Sequence, residues 1–443
     1  MNIIQIIPGS GGSFYCGNCL RDSKYFNALR AQGHHVTKIP MYLPLFSDEH
    51  DIADVPIFYG AISTYLKQQY PIFRKAPQWF DNLLNSKPMM KLAASMAGST
   101  RAAGLEDMTI SMLLGEQGAQ KAELEHMVNW IAEHCKPDII HISNALLLGL
   151  AKRLKEKTGV PVLCSLQDED VWVDAVRPEF REKIWKLMHK RSEDVDALVS
   201  VSNFFAGKMK QSMGLAEDKI HTIHLGVEVD DYTYISTRDK ERNIGYISRM
   251  CHENGFDIVV DAFIHLKKKP GFEDVKLIAT GGSTGDDTKY IKEQKNKIRE
   301  NGLGDFFEIM PDFESTGIHD FFKKVSLVSV PVRIGEAFGI YLLEAMASGV
   351  PVVQPALGAF PEITELSGGG ITYMPNSPDK LCETWMGLLN NPDKMAKLSK
   401  SAYEGTRARF NIQNHAKEII ALYESLHAGV SISSEESKDV IAT

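Results

Sequence analysis

Long hydrophobic runs are missing from this 443-residue chain: no window approaches the ~18 uninterrupted apolar residues that a membrane-spanning helix needs. Cysteine is sparse. Its six positions (Cys16, Cys19, Cys135, Cys164, Cys251, Cys382) do not make the dense disulfide framework of a small secreted domain, so reduced thiols are expected. Positive charge is not in excess either, with 49 Lys and Arg against 57 Asp and Glu and a net charge of −8, so no global basic surface is available to grip nucleic acid. No basic residue precedes Arg21, so residues 1–8 lack the positive start of a signal peptide, and a cytoplasmic protein is expected. What is present is ordinary globular composition, 44% apolar with 34 Gly and 19 Pro, in a length that suits two or three domains.

Short apolar runs at 3–7, 36–40, 139–143, 160–166, 198–201 and 220–225 alternate with longer amphipathic stretches. Strands alternating with helices imply right-handed crossovers and a parallel sheet covered on both faces. The rhythm restarts at 243–248, 275–280, 306–310, 327–332 and 350–354, with helical segments near 256–267, 288–301 and 338–348. Residues 228–242 are polar, poor in core residues, and read as a linker. The expected fold class is therefore α/β, two doubly wound Rossmann-like domains facing across a cleft. The first spans 1–227 and the second 228–409, with a last helix at 410–427 docking back and a flexible tail at 428–443. A helix is also expected over 144–158, with Leu147, Leu148 and Leu150 in the core.

The most informative stretch runs from Gly335 to Val353. A strand leads into a glycine turn, a helix of a little over two turns, and Gly349-Val350-Pro351 before another strand. Backbone N–H groups from Phe338 to Tyr341 then point out of a helix N-terminus, an anion site worth roughly 0.3–2 kcal/mol from the dipole alone. Glu336 lies just before this helix and Glu344 inside it, so two carboxylates can address different parts of one elongated ligand. A carboxylate accepting from sugar hydroxyls makes charge-assisted bonds of about 1.5–3 kcal/mol. The structural alternative is a capping Glu336 and a solvated Glu344.

The run of Glu, seven residues, Glu, then Gly-Val-Pro-Val-Val and Gly358-Ala359-Phe360-Pro361-Glu362 resembles the donor-site motif of the family 4 glycosyltransferases. Gly11-Gly12, Gly33-His34-His35-Val36, Ile223 to Glu228, and Gly245-Tyr246-Ile247-Ser248-Arg249 extend the resemblance over nearly the whole chain. The resemblance implies the two-Rossmann fold called GT-B and a retaining transfer from a nucleotide-diphosphate sugar, UDP- or GDP-linked, with no other cofactor and no metal. It implies that Glu336 contacts the donor sugar and Glu344 the ribose. The amides of Phe338, Gly339 and Ile340 would lie near sugar and diphosphate, Arg249 would hold the diphosphate, and Gly11 and Gly12 would border the acceptor and donor phosphate.

Two departures stand out against that family. A lysine usually follows the arginine by five residues, and here that position is Asn254. The strand 139–143 carries His141 but ends in Ser143 where the family often has a second histidine near the reacting sugar, and Gln167-Asp168 stands where many relatives show His-Asp. Serine can hydrogen-bond a sugar hydroxyl but cannot titrate near neutrality. Ser143 and Asp168 are the candidates on the first domain, Asp168 either facing the acceptor or capping a helix, and His141 is either functional or a satisfied core histidine. His252 and Lys276 are the cations available to replace the absent lysine.

The Pro8 to Ser13 loop lacks both a dinucleotide fingerprint and a Walker lysine. Cys16-Gly17-Asn18-Cys19 is a redox pair, half of a zinc site, or two thiols near a helix start. Between Lys67 and Arg101, six cations stand against Asp81, interleaved with Tyr70, Phe73, Trp79 and Phe80. That mixture suits peripheral attachment to the inner face of a membrane, an acceptor mouth, or an insertion packed inward. The expected activity is transfer of a hexosyl unit to a glycan, lipid-linked or small-molecule acceptor in surface polysaccharide or glycoconjugate synthesis. A non-catalytic GT-B binding protein and a GT-B epimerase are the competing readings.

Overall fold

Aliphatic runs too short for helices and buried on both faces build two six-stranded parallel sheets. A computed structural model describes residues 1–8, 17–41, 58–59, 104–311 and 315–429. The chain divides into two units: unit 1 is Met1–Gly11, Tyr25–Ile223 and Ala416–Thr443, and unit 2 is Gly12–Lys24 and His224–His415.

The first set of elements is β1 (Asn2–Ile7), α1 (Gly17–Ala31), β2 (His35–Pro40), α2 (Glu106–Leu114), α3 (Lys121–His134), β3 (Ile139–Ile142), α4 (Ala151–Thr158), β4 (Val162–Leu166), α5 (Glu169–Ala175), α6 (Pro178–Ser192), β5 (Ala197–Ser200), α7 (Asn203–Met213) and β6 (Ile220–Thr222). The strands lie in the order β2-β1-β3-β4-β5-β6, every described pairing parallel. Central strands are wholly covered: Ile139, Ile140 and Ile142 of β3 have no exposed surface, which is why β3 is aliphatic on both sides of His141. The expected helix over 144–158 is two pieces, a 3-10 segment Ala145–Leu150 followed by α4. Asn144 caps the first piece by accepting from Leu146 N at 2.8 Å, and Leu147, Leu148 and Leu150 are buried as expected.

The second set is β7 (Ile244–Ile247), α8 (Phe256–Lys267), β8 (Leu277–Thr280), α9 (Thr288–Glu300), β9 (Phe307–Ile309), α10 (Ser315–Lys324), β10 (Leu327–Val328), α11 (Ile340–Ala347), β11 (Val352–Pro355), α12 (Phe360–Ser367), β12 (Gly370–Tyr373), α13 (Pro378–Leu389), α14 (Pro392–Arg409) and α15 (Ile412–His427). The order is β12-β11-β10-β7-β8-β9. β12 is absent from the strands expected on sequence, because it opens on the last of three consecutive glycines. The last two are packing devices: a Cβ on Gly369 would stand 2.5 Å from Ala402 Cα, and one on Gly370 would stand 2.6 Å from Val352 Cγ2.

Residues 228–242 are not a loose linker. Val229 and Tyr232 are buried to 2% and 3% exposure, and the Tyr232 ring packs at a tilt against His319, centroids 5.1 Å apart. In each sheet the strand order reverses direction at one place, between β1 and β3 in unit 1 and between β7 and β10 in unit 2. In open α/β sheets, ligands bind at the carboxyl ends of the strands flanking such a reversal. The loops to inspect therefore follow β3 in unit 1 and β7 and β10 in unit 2.

Candidate functional site

In unit 2 the chain leaves β10 at Val328, passes Arg333 and Gly335, and enters α11 at Ile340. Two glycines make the turn feasible. A Cβ on Gly335 would stand 2.3 Å from Gly358 N, and one on Gly358, at φ +60°, would stand 2.5 Å from Glu336 O. That backbone contact is sealed by Ala359 N donating to Glu336 O at 3.1 Å, so the 358–362 segment fixes the backbone of Glu336. The Glu336 carboxylate accepts from Tyr341 Oη at 3.2 Å, and its second oxygen lies over Gly339, where a Cβ would be 3.0 Å away. Gly339 caps α11 at φ +87°. The amides of Phe338, Gly339 and Ile340 have no acceptor among the described residues, so they are available at the helix N-terminus.

Glu344 is on the same helix but 5% exposed, and it accepts from Tyr232 Oη at 3.1 Å. Burial, first, and then the charge of Glu344 push the Tyr232 phenol well above its ordinary range, so it remains a donor. The sequence carried no signal for Tyr232, because it follows Asp230-Asp231 in a stretch read as polar. His224, from the motif 223–228, donates to Glu362 Oε1 at 2.6 Å and packs edge-on to Phe410.

Arg249 follows β7, the strand beside β10. Its Nε and Nη2 each reach Asp287 at 2.8 Å, and Nη2 also approaches Thr284 Oγ1 at 3.3 Å. The bond to Asp287 raises the Arg249 pKa, opposed by burial, while burial of Asp287 is outweighed by Arg249 and Thr284, which hold its carboxyl low. Nη1 has no partner among the described residues. The pair is neutral, so Arg249 offers aimed donors rather than net charge. Arg333, which the sequence reading did not single out, donates from Nε to His252 O at 3.0 Å and from Nη2 to Asp257 at 2.5 Å, bracing the loop after β7.

Asn254 is part of that loop's own structure. Its Nδ2 donates to Ser248 Oγ at 2.8 Å and to Arg249 O at 3.3 Å, while Tyr246 Oη donates to Arg249 O at 2.9 Å. Of the two expected substitutes for a lysine, Lys276 is excluded. It precedes β8, and β7 and β8 are parallel, so Lys276 lies at the opposite sheet edge from Arg249. His252 is on the right loop, with its ring edge-on to Tyr290 at 6.4 Å.

In unit 1, His141 is a core histidine. It is 5% exposed, and its two ring nitrogens hydrogen-bond with Tyr423 Oη at 2.6 Å and Ser165 Oγ at 2.8 Å. Ser143 follows β3 at 8% exposure, and its Oγ has no hydrogen-bond partner among the described residues. Asp168 takes the cap position of α5 at φ +57°, but its side chain makes no cap bond, which removes the capping alternative. Asp168 and Lys136 are the two described non-glycine residues with positive φ, and such strain is held by surrounding structure. That structure is Glu169, fully buried, whose carboxylate accepts from Ala145 N at 2.8 Å and Gln167 N at 2.6 Å.

Gly11, Gly12, Cys16, the segment 67–101, the loop 312–314 and the tail beyond 429 lie outside the described residues, as does the side chain of Cys19. Among the described residues Cys135, Cys164, Cys251 and Cys382 are free, no three His, Cys, Asp or Glu side chains form a metal-binding group, and no helix is long and apolar enough to cross a membrane.

Residues 235–405 match the family model of the glycosyl transferases group 1, and residues 115–231 match that of glycosyltransferase family 4. The two consecutive spans together take in well over half of the chain. The lipopolysaccharide core biosynthesis mannosyltransferase LpsB of Rhizobium meliloti (strain 1021) is 32% identical over 187 residues, 41% of this chain and 51% of that protein. A D-inositol 3-phosphate glycosyltransferase of Xylanimonas cellulosilytica is 26% identical over 243 residues, 52% of this chain and 56% of its own. The chain thus spans about half the length of these curated relatives. Among solved structures, sucrose-phosphate synthase from Thermosynechococcus elongatus matches 97% of this chain and 100% of its own at TM-score 0.70 and 16% identity. Anabaena HepE in complex with UDP and glucose matches 96% and 100% at TM-score 0.65 and 18% identity. At such identities the structural likeness bears on the fold, which is GT-B.

Proposed function

The chain belongs to the family 4 glycosyltransferases, and on that premise we propose that it moves a hexosyl unit from a nucleotide-diphosphate sugar to a glycan, lipid-linked or small-molecule acceptor, with retention of configuration. The observation that carries this reading is the turn from Glu336 to Ile340, where a carboxylate, a positive-φ glycine and a helix N-terminus occupy the strand end next to Arg249. An elongated ligand fits that order of groups: ribose hydroxyls to Glu344, diphosphate to Arg249 and the amides of Phe338, Gly339 and Ile340, sugar to Glu336. In the transfer, the bond from the anomeric carbon to the diphosphate oxygen breaks and a bond to the acceptor oxygen forms on the same face. The acceptor proton leaves with the diphosphate. Oriented donors stabilise the charge that grows on the leaving group, an effect worth about 10²–10³ in rate for one well-placed group.

The relatives in lipopolysaccharide core and inositol phosphate glycosylation support a role in surface polysaccharide or glycoconjugate synthesis. Ser143 and Asp168 are the acceptor-side candidates of unit 1. Charge on the diphosphate is met by Arg249 and backbone amides, so we take the reaction to need no obligatory metal. Attachment to the inner membrane face through residues 67–101, in a cytoplasmic protein, completes the reading; loss of co-sedimentation with anionic liposomes at low salt would remove that part.

The donor assignment is tested by thermal unfolding with UDP, GDP and ADP in the wild type and Glu344→Ala. A ligand at one hundred times its dissociation constant adds about 2.7 kcal/mol, a rise of roughly 5–10 °C. A shift with one base, lost in Glu344→Ala, supports the site. No shift with any of the three moves the reading to a binding protein for another ligand.

A further inference from the structure

We propose that a cavity in unit 2, at the far end of α11 from the donor turn, is a second ligand site that takes a sugar or polyol phosphate, with Lys240 meeting the phosphate. The inference stands apart from the glycosyltransferase reading, because none of the described residues assigned to the donor lines this cavity.

The cavity measures about 500 Å³, within the range of small-molecule sites and with room for more than a bare phosphate. It lies between the segment 231–240, the helix α10 and Ser348, the residue that follows α11. The turn carrying Glu336 is at the opposite end of that helix, so roughly 12 Å of α11 separates the two places.

Lys240 gives the cavity its preference. Its Nζ donates to Phe322 O at 2.7 Å, in the last turn of α10, and that bond uses one of the three N–H groups of an ammonium. The other two have no acceptor, and the charge no carboxylate, among the described residues. Burial alone pushes the Lys240 pKa down to about 8, with no charged neighbour contributing. A capping role on α10 therefore accounts for one N–H and leaves the charge unmatched. The other charges on the wall are matched already: Asp320 pairs with Lys323 at 2.9 Å, and Asp231 with Lys24 of the same unit at 3.1 Å. His319 is held toward its neutral form by burial, with Asp231 opposing. A cation taken out of water without a counter-charge is costly, and a bound anion removes that cost.

A phosphate ester meets the ammonium with charge-assisted bonds. The rest of the wall suits hydroxyls, which donate to the carboxylates of Asp231 and Asp320 and to Thr233 Oγ1, while neutral His319 supplies one N–H. An uncharged sugar leaves Lys240 unmatched, and a bare phosphate leaves most of the volume to water.

Calorimetric titration of the full chain decides it, with glucose 6-phosphate, glycerol 3-phosphate, glucose and inorganic phosphate as probes. At least one of the two esters should bind the wild type, with glucose and inorganic phosphate each weaker by about tenfold or more. Lys240→Gln can still cap Phe322 O; it should unfold cooperatively, keep the wild-type thermal shift with UDP, and bind the ester about tenfold more weakly or worse. Arg249→Ala should bind the ester as the wild type does. Loss of ester binding in Arg249→Ala but not in Lys240→Gln places the ester at the donor turn and overturns the inference. So does the absence of binding by either ester, or inorganic phosphate that binds as tightly as the ester. Crystals soaked in the bound ester give an independent reading: a phosphate oxygen should lie within hydrogen-bond distance of Lys240 Nζ, and an ester seen only at the turn before α11 contradicts the assignment. If UDP shifts none of these proteins, the donor reading falls for that nucleotide while the ester titration still decides the cavity.

Discussion

The carboxyl edges of the two sheets share a topology and differ in chemistry. At the reversal point of unit 2 the loops after β7 and β10 carry Arg249 on Asp287, Arg333 on Asp257, and the carboxylate of Glu336, all within reach of solvent. At the reversal point of unit 1 the loop after β3 carries a serine and the neighbouring loop after β4 a glutamine, and the one carboxyl group that bridges them, that of Glu169, is fully buried. One edge is built from ionic pairs that aim donors, the other from neutral hydrogen-bonding groups on a buried brace. A parallel sheet fixes where a ligand lies, and the loops decide which class of ligand that is.

The sharpest way to break the comparison is Arg249→Ala. It removes the aimed guanidinium and leaves Asp287, 5% exposed, without its cation, and truncating one partner of such a pair typically costs about 2–5 kcal/mol. Nucleotide affinity measured calorimetrically should fall by at least about thirtyfold, whereas Ser143→Ala on the other edge should leave it unchanged. Equal effects from the two would erase the distinction. A smaller change is expected for Asn254→Lys. Because Asn254 already closes the loop on Ser248 and Arg249, the lysine should lower stability by about 1 kcal/mol in chemical denaturation and give no gain in turnover. A faster enzyme would mean that the family cation fits after all.

The neutral edge has its own test in pH. Burial raises the Glu169 carboxyl from 4.5 to about 8, against the pull of the amides of Ala145, Glu169 and Gln167. The folded chain therefore holds this proton to higher pH than the unfolded chain does. Its contribution to stability is full below about pH 4.5 and is lost as pH rises through about 8. Between pH 5 and 9 the wild-type midpoint should fall roughly 2–5 °C relative to Glu169→Gln, which has nothing to titrate there. Parallel curves for the two proteins would show that Glu169 ionises without cost. Smallest of all, removal of divalent ions with EDTA should change turnover by less than about twofold, since oriented donors supply the stabilisation; abolished turnover would assign that task to a metal.

How much of this was legible in the sequence differs between the two edges for the same reason. The unit 2 site is contiguous: residues 335–362 contain the carboxylates, the turn glycines and the Gly358-Ala359 contact, so spacing along the chain reflects spacing in the fold. The unit 1 site joins strand ends 24 residues apart, and its organiser, Glu169, sits in an acidic run, Asp168-Glu169-Asp170, that resembles a solvated surface. Tyr232 was hidden by polar neighbours, and β12 by its glycines, since neither propensity nor periodicity registers a position that is glycine because another backbone touches it. The strand rhythm was plain elsewhere because parallel strands buried on both faces are written as unbroken apolar runs.

The most direct test of the central claim is release of nucleoside diphosphate from UDP-, GDP- and ADP-sugars by the wild type and by Glu336→Ala. The account predicts turnover with sugars of one base, reduced about 10²–10³-fold in Glu336→Ala while the thermal shift with that nucleotide persists. Turnover that survives the substitution intact would contradict the placement of the reacting sugar at the turn before α11.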